Sequence, residues 1–187
     1  KYDSNGRFIA QWGSFGGDEG QFNMPWGVCV DTDDNVYVAD WRNDRVQKFD
    51  PTGAPMAVFG SSGEGDGEFS RPSGVVTDPN GNVYVADWGN ERVQVLAPDG
   101  SFLLKLRGQA TVSKWAEEFF ASNPDEVVTR KIANLEPPLP PRFATPYQKS
   151  SQTEPYFWAP VSVRLDTQGL AYATETNRHR LQIYRRS

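Results

Sequence analysis

Phe22-Asn-Met-Pro-Trp-Gly-Val-Cys-Val-Asp31 returns 47 residues later as Phe69-Ser-Arg-Pro-Ser-Gly-Val-Val-Thr-Asp78. The same offset carries Asn35-Val-Tyr-Val-Ala-Asp-Trp41 onto Asn82-Val-Tyr-Val-Ala-Asp-Trp88, Arg45-Val-Gln47 onto Arg92-Val-Gln94, and Gly6 onto Gly53 and Gly100. A third copy follows the second at an offset of 88: Pro160-Val-Ser-Val-Arg-Leu-Asp166, Gly169, Tyr172, Glu175 and Arg180-Leu-Gln-Ile183. That unit has been stretched by 41 residues. Self-similarity at a fixed period is the mark of a chain built from stacked units.

Each unit reads as four short strands. Gly27–Val30 is a compact apolar run suited to a strand buried on both faces, and Val36–Ala39 and Arg45–Phe49 are β-branched or aromatic runs between turn residues. The fourth strand is Ala54–Phe59, matched by Arg7–Trp12 and Ser101–Leu106. A four-stranded sheet with two apolar faces must stack on neighbours, and radial stacking does so while leaving only short edges. The fold class is therefore all-β: a partial β-propeller of about three four-stranded blades, with a helical insertion before the last. The unit length fits a blade of roughly 40–50 residues.

Pro-x-Gly-Val, then Asp78-Pro-Asn-Gly-Asn-Val-Tyr-Val-Ala-Asp87, then Asn90-x-Arg92-Val-Gln94 resembles the NHL repeat, a family of propeller blades. The resemblance extends over nearly all of the chain outside 109–155. The third copy departs from it, with Ser162 for the glycine, Glu175 for the aspartate and Thr176 for the tryptophan. The resemblance implies an interaction platform first. A propeller enzyme of lactonase or amidating-lyase type, with metal ligands from other blades, is the alternative, and RNA binding is a third.

The domain reading is blades over 1–108, beginning with the fourth strand of a first unit, a helical and proline-rich insertion over 109–155, and the inner three strands of the third repeat over 156–187. Tyr2-Asp3 corresponds to Phe49-Asp50 and to Tyr184-Arg185, so the chain starts and stops at one point of the repeat. Three blades do not close a ring, which takes roughly four to eight. Remaining blades of the same chain, or another copy, are expected to complete it.

With 37% apolar and 13% aromatic content, the 187 residues have ample material for a core. No apolar run approaches the roughly 18 residues of a membrane span. The net charge of −5 is uneven: 1–108 hold 9 Lys+Arg against 16 Asp+Glu. This acidic part offers no clustered cations to a phosphate backbone, so nucleic acid is not an expected partner. Cys29 is the only cysteine, which rules out an internal disulfide and a cysteine-built zinc site.

In the insertion, Trp115, Phe119 and Phe120 have helical spacing, with Ser113 as cap and Glu117 and Glu118 near the first turn. A second helix is signalled by Asn123-Pro124-Asp125-Glu126, read as a capping box with proline at the first helical position. Its Val128, Ile132 and Leu135 share a face, and Pro137-Pro-Leu-Pro-Pro141 ends it. The insertion joins the outermost strand of one blade to the innermost of the next, so it is expected to form a lid over the face carrying Trp26, Trp41, Arg42, Trp88, Arg178 and His179.

These six residues and Arg164 are the candidate ligand- or partner-binding set; no catalytic and no metal-binding residue is assigned. Trp41, Trp88 and Arg42 are read either as an aromatic and cationic rim or as wedges between blades. Arg164 replaces Cys29 and Val76 on the innermost strand, where a buried guanidinium needs an anion from the protein or from a ligand. His179 is the sole histidine and by itself poor grounds for metal. Asp40, Asp87 and Glu175, with Arg45, Arg92 and Arg180, recur in every copy, which fits turn-fixing structural pairs better than one active site.

Asp31-Thr-Asp-Asp-Asn35 lacks the glycine of a calcium loop, and Gly13–Gly17 and Gly60–Gly65 lack the helix and Lys-Ser/Thr of a phosphate cradle. Pro137-x-x-Pro140-x-Arg142 matches a polyproline ligand pattern but reads as linker. No nucleophile, base and orienter assemble from this set. No cofactor is expected from these residues, with a calcium or zinc ion in the complete propeller left open. The expected function is a non-catalytic binding or scaffold module that holds a protein segment or small ligand on the lidded face.

Overall fold

A computed structural model of the chain describes residues 1–108 and 114–185. Three antiparallel meanders follow one another. After a two-residue parallel pair, β1 (Ser14–Phe15) with β2 (Gln21–Phe22), the first blade comprises β3 (Pro25–Val30), β4 (Val36–Asp40), β5 (Arg45–Phe49) and β6 (Pro55–Phe59). The second comprises β7 (Pro72–Thr77), β8 (Val83–Asp87), β9 (Arg92–Leu96) and β10 (Phe102–Leu106), and the third β11 (Pro160–Leu165), β12 (Leu170–Glu175) and β13 (Arg180–Arg185). In each blade every strand pairs with the next in sequence, as tight turns between short strands dictate.

Strand alternation decides which face meets which neighbour. Tyr37, Ala39, Val46 and Phe59 of blade 1 pack on Val75, Val83, Val85 and Leu96 of blade 2. The other face of blade 2, with Tyr84, Ala86, Val93 and Val95, packs on Val163, Ala171 and Ala173 of blade 3, with Phe157 joining the cluster. These are two dry layers between three sheets, the arrangement expected of propeller blades.

The first strands of the three blades lie side by side at the inner edge. Gly27 and Gly74 make that approach possible. A Cβ on Gly27 would lie 2.7 Å from the Ser73 carbonyl oxygen and 2.8 Å from Gly74 Cα. A Cβ on Gly74 would lie 3.1 Å from Ser162 Cα, so the second seam is slightly wider. There Ser73 Oγ donates to the Pro160 carbonyl at 3.2 Å.

Several expectations need correction. Arg7–Trp12 forms no strand; Phe8 alone bridges Tyr2. Its sequence suits a fourth strand, but among the described residues no third strand lies beside it. The insertion has three helices: α1 (Lys114–Ser122), α2 (Pro124–Ile132) and α3 (Pro146–Gln152). The Ser113 cap lies outside the described residues. Asn123 precedes α2, yet its side chain makes no cap and donates instead to the Phe119 carbonyl at 2.8 Å. The complete capping box is at α3, where Thr145 and Gln148 exchange hydrogen bonds. Leu135 lies past the end of α2, and Ile132 is 79% exposed, so the shared apolar face is not buried as a unit.

Gly27→Ala should lower stability by about 1–3 kcal/mol, since its Cβ meets backbone that cannot rotate away. Gly17→Ala, at a site with open space, should change the chemical-denaturation midpoint little.

Candidate functional site

Every blade is built around one buried carboxylate. Asp87 accepts from Ser70 N at 2.7 Å, Asn90 Nδ2 at 2.9 Å, Arg92 Nε at 2.8 Å and Gln94 Nε2 at 3.2 Å. Asp40 holds the same set with Asn23 N, Asn43, Arg45 and Gln47. Glu175 takes Trp158 N at 2.8 Å, Arg180 and Gln182. The arginine then reaches outward. Arg45 donates to the carbonyls of Gly17, Asp18 and Gln21, and Arg92 to those of Glu64, Gly65 and Glu68. Arg180 grips Glu154 and Tyr156, so the tail of the insertion replaces the glycine-rich connection used earlier. These pairs fasten each incoming connection to its blade. Burial raises the Asp87 carboxyl above its usual range against the pull of its donors.

A second device joins the blades and was missed in the sequence. Asp44 and Glu91 sit at left-handed φ of 51° and 55°, each just past a 3-10 turn. Asp44 Oδ1 accepts the Arg71 backbone N–H at 2.7 Å, and Glu91 Oε2 accepts that of Ala159. Arg71 and Ala159 are themselves left-handed, at 54° and 60°, and open the first strand of the following blade. Met24 (φ 58°) and His179 (φ 52°) stand at the matching left-handed positions in blades 1 and 3. Aligning the copies gives both sets, but propensity did not single them out, because αL is unusual for such residues. Glu91 is 3% exposed. Burial pushes its carboxyl up to about 7, opposed by the Ala159 N–H and assisted by the charge of Glu175.

On the face where the second and third strands connect, the tryptophans form a row. Trp26 and Trp41 have ring centroids 5.5 Å apart, and Trp41 and Trp88 6.2 Å. Arg71 lies over both Trp41, at 4.9 Å, and Trp88, at 6.0 Å; Arg42 is 5.9 Å from Trp41. Trp26 is 61% exposed, and Arg42 and Arg71 are exposed. The tryptophans run along this face, with Trp41 and Trp88 half-buried against each other between blades 1 and 2. Arg71, absent from the expected set, stands among them because the left-handed turn before Pro72 brings it there.

The other expected residues lie elsewhere. Arg178 donates to the Ser150 and Thr153 carbonyls and lies 5.6 Å over Trp158, so it seats α3. Tyr147 of α3 stacks on Trp158 at 5.7 Å, and α3 reaches the turn Trp88–Asn90. The insertion therefore rests over the seam of blades 2 and 3 and bounds the row at its Trp88 end, while Trp26 and Arg42 remain exposed. Beneath it is a cavity of about 90 Å³ lined by Asn90, Glu91, Arg107, Lys149 and Tyr156. His179 is exposed. Arg164 is exposed too, and its Nη1 donates to Val163 O at 3.2 Å and Val75 O at 3.5 Å, so the premise that it is buried and needs an anion does not hold. Its position faces the open inner edge of the blades. Nearby Cys29 is held as a thiol, pushed up to about 11 by burial.

Among the described residues, no three His, Cys, Asp or Glu side chains gather as for a metal ion, and no helix is long and apolar enough to cross a membrane.

Stacked antiparallel meanders of four, four and three strands with a shared inner edge define a β-propeller module. Its first two blades carry NHL repeats: the NHL repeat model matches residues 22–49 and 69–96. A 34-residue stretch is 53% identical to Protein wech of Drosophila melanogaster, covering 18% of this chain and 4% of that protein. Among solved structures, a protein of unknown function from Bacteroides caccae aligns with 86% of this chain and 42% of its own, at 11% identity and a TM-score of 0.50. A streptogramin B lyase aligns over 86% and 40%, at 11% identity and a TM-score of 0.42. The chain thus spans less than half of either structure.

Asp87→Ala strands the Arg92 guanidinium in a buried site and should cost about 3–5 kcal/mol, read as a lower denaturation midpoint. Glu91 gives a pH signature. Its proton is held in the folded chain to about 7 but lost near 4.5 when unfolded, so its contribution to stability is full below 4.5 and declines as pH rises through 7. The decline should amount to about 3 kcal/mol. Glu91→Gln keeps an acceptor for Ala159 and should flatten stability between pH 5 and 8 relative to the parent.

Proposed function

We propose that this module is a non-catalytic binding platform that receives an extended protein segment bearing acidic side chains along the tryptophan row. The observation that supports this is the file Trp26, Trp41, Trp88 with Arg71 lying over two of its rings and Arg42 over one. Exposed indole faces gain from being covered by apolar stems, and aromatic and arginine side chains are the groups that dominate interface energetics. Arg42 and Arg71 present guanidinium N–H groups fitted to carboxylates. The row rests on left-handed turns held by Asp44 and on the 3-10 turns that follow β4 and β8, so it is organised before a partner arrives. Preorganisation of this kind lowers the entropic cost of binding. The seated insertion sets one limit of the row and favours a segment that runs toward Trp26.

Titration with an oligoglutamate peptide, followed by tryptophan fluorescence, should give a saturable change that weakens with salt. Arg71→Ala should reduce affinity about tenfold or more, the loss of one charged hydrogen bond. A chain that gives no saturable response, or responds equally to oligolysine, would refute the reading.

A further inference from the structure

The insertion encloses space that the tryptophan row does not use. Next to the cavity of about 90 Å³ under α3 lies a second, of about 410 Å³, walled by Pro137, Leu139, Pro140 and Phe143. Lys149 and Tyr156 line both, so they form the neck between an inner chamber against blade 2 and an outer one within the insertion. The inner volume is enough for a few waters or one carboxylate, and the outer falls within the roughly 300–1,000 Å³ of small-molecule sites. The walls are fixed in advance. Four prolines between 137 and 141 lock their φ angles, Phe143 N–H donates to the Pro140 carbonyl at 2.9 Å, and the capping box and Arg178 seat α3.

Charges of both signs meet at the neck. Tyr156 Oη donates to Glu136 at 3.1 Å. Burial and that bond hold the tyrosine proton above its usual range, and the charge of Arg107 opposes them, which puts the guanidinium within electrostatic reach of the same hydroxyl. Lys149 brings a second cation, and Glu64, on the inner chamber, a second carboxylate. The other ionisable groups there are already engaged: Arg92 with Asp87 and three carbonyls, and Glu91 with the Ala159 N–H. Among the described residues neither Arg107 nor Lys149 forms an ion pair. A small monoanion entering here meets Glu136 and Glu64, and a monocation meets Arg107 and Lys149. Only a ligand carrying both signs is complemented.

We propose that the two chambers form a binding site for a small zwitterion with an apolar side chain, the class of the aromatic and aliphatic α-amino acids. The carboxylate lies inward between Arg107 and Lys149, the ammonium at Glu136, and the side chain against Pro137, Leu139 and Phe143. Arg107 has the planar fork that takes a carboxylate through two parallel N–H bonds. The proline and phenylalanine walls cover an apolar ring without asking it for hydrogen bonds. The site shares no residue with the tryptophan row, so it stands or falls separately from the platform.

Isothermal titration of the 187-residue chain with L-phenylalanine should show saturable one-site binding. Hydrocinnamate, which lacks the ammonium, and phenethylamine, which lacks the carboxylate, should each bind about tenfold more weakly, the loss of one charged hydrogen bond. Arg107→Gln and, independently, Lys149→Gln are changes to exposed side chains that should leave the circular dichroism unchanged and weaken L-phenylalanine by about tenfold. Glu136→Gln should abolish the preference for L-phenylalanine over hydrocinnamate. Absence of binding at millimolar L-phenylalanine overturns the proposal. So does hydrocinnamate or phenethylamine binding as tightly as the amino acid, or an affinity indifferent to both Arg107→Gln and Lys149→Gln.

Discussion

A carboxylate with no exposed surface, ringed by N–H donors, stands at the same place in each blade, and the architecture depends on its being satisfied. An isolated charge in that position would be prohibitive, so Asp87 requires Asn90, Arg92, Gln94 and the Ser70 amide together. Arg92 in turn has donors left over, and they go to the carbonyls of the incoming connection. One buried charge thereby fixes a turn, a strand end and a loop that crosses from the blade before. Asp40 does the same in blade 1, which explains why the residue types recur as a set rather than singly.

Function follows from what this framework leaves over. The turns after β4 and β8 are set by the carboxylates within, so Trp41 and Trp88 are held at the rim whether or not a partner is present. Asp44 then fixes the backbone at Arg71, and the side chain at that left-handed residue falls over both indoles. The insertion adds a boundary rather than a roof. Its tail substitutes for a glycine-rich connection under Arg180, and α3 is secured by Arg178 and by the stack of Tyr147 on Trp158.

Differences between copies locate where the repeat is adapted. Glu91 replaces Asp44 at the wider second seam, where a longer side chain still reaches the next blade. Burial and the neighbouring Glu175 raise its carboxyl toward neutrality, so this seam responds to pH in a range where exposed carboxylates do not. In the third copy the glycine, the small inner-strand residue and the seam carboxylate have become Ser162, Arg164 and His179, and Arg164 reaches back to the Val75 carbonyl of blade 2.

The blades, their order, their strand sequence and the structural nature of the Asp–Arg pairs were legible in the sequence, because strand alternation and a fixed period are local properties that repetition makes visible. Legible too was the insertion's helical character. The seat of α3, the exposure of Arg164 and the missing strand at Arg7–Trp12 were not, since each depends on which neighbour stands beside a segment. Arg71 and Glu91 were invisible for a related reason: both sit on left-handed backbone, and each takes part in a hydrogen bond that crosses from one blade to the next. Sequence by itself determined what each unit is, through the pattern of apolar and turn residues along one strand after another. Only tertiary structure decided which side chains meet across the seams and along the rim, because those contacts join residues that no local spacing relates.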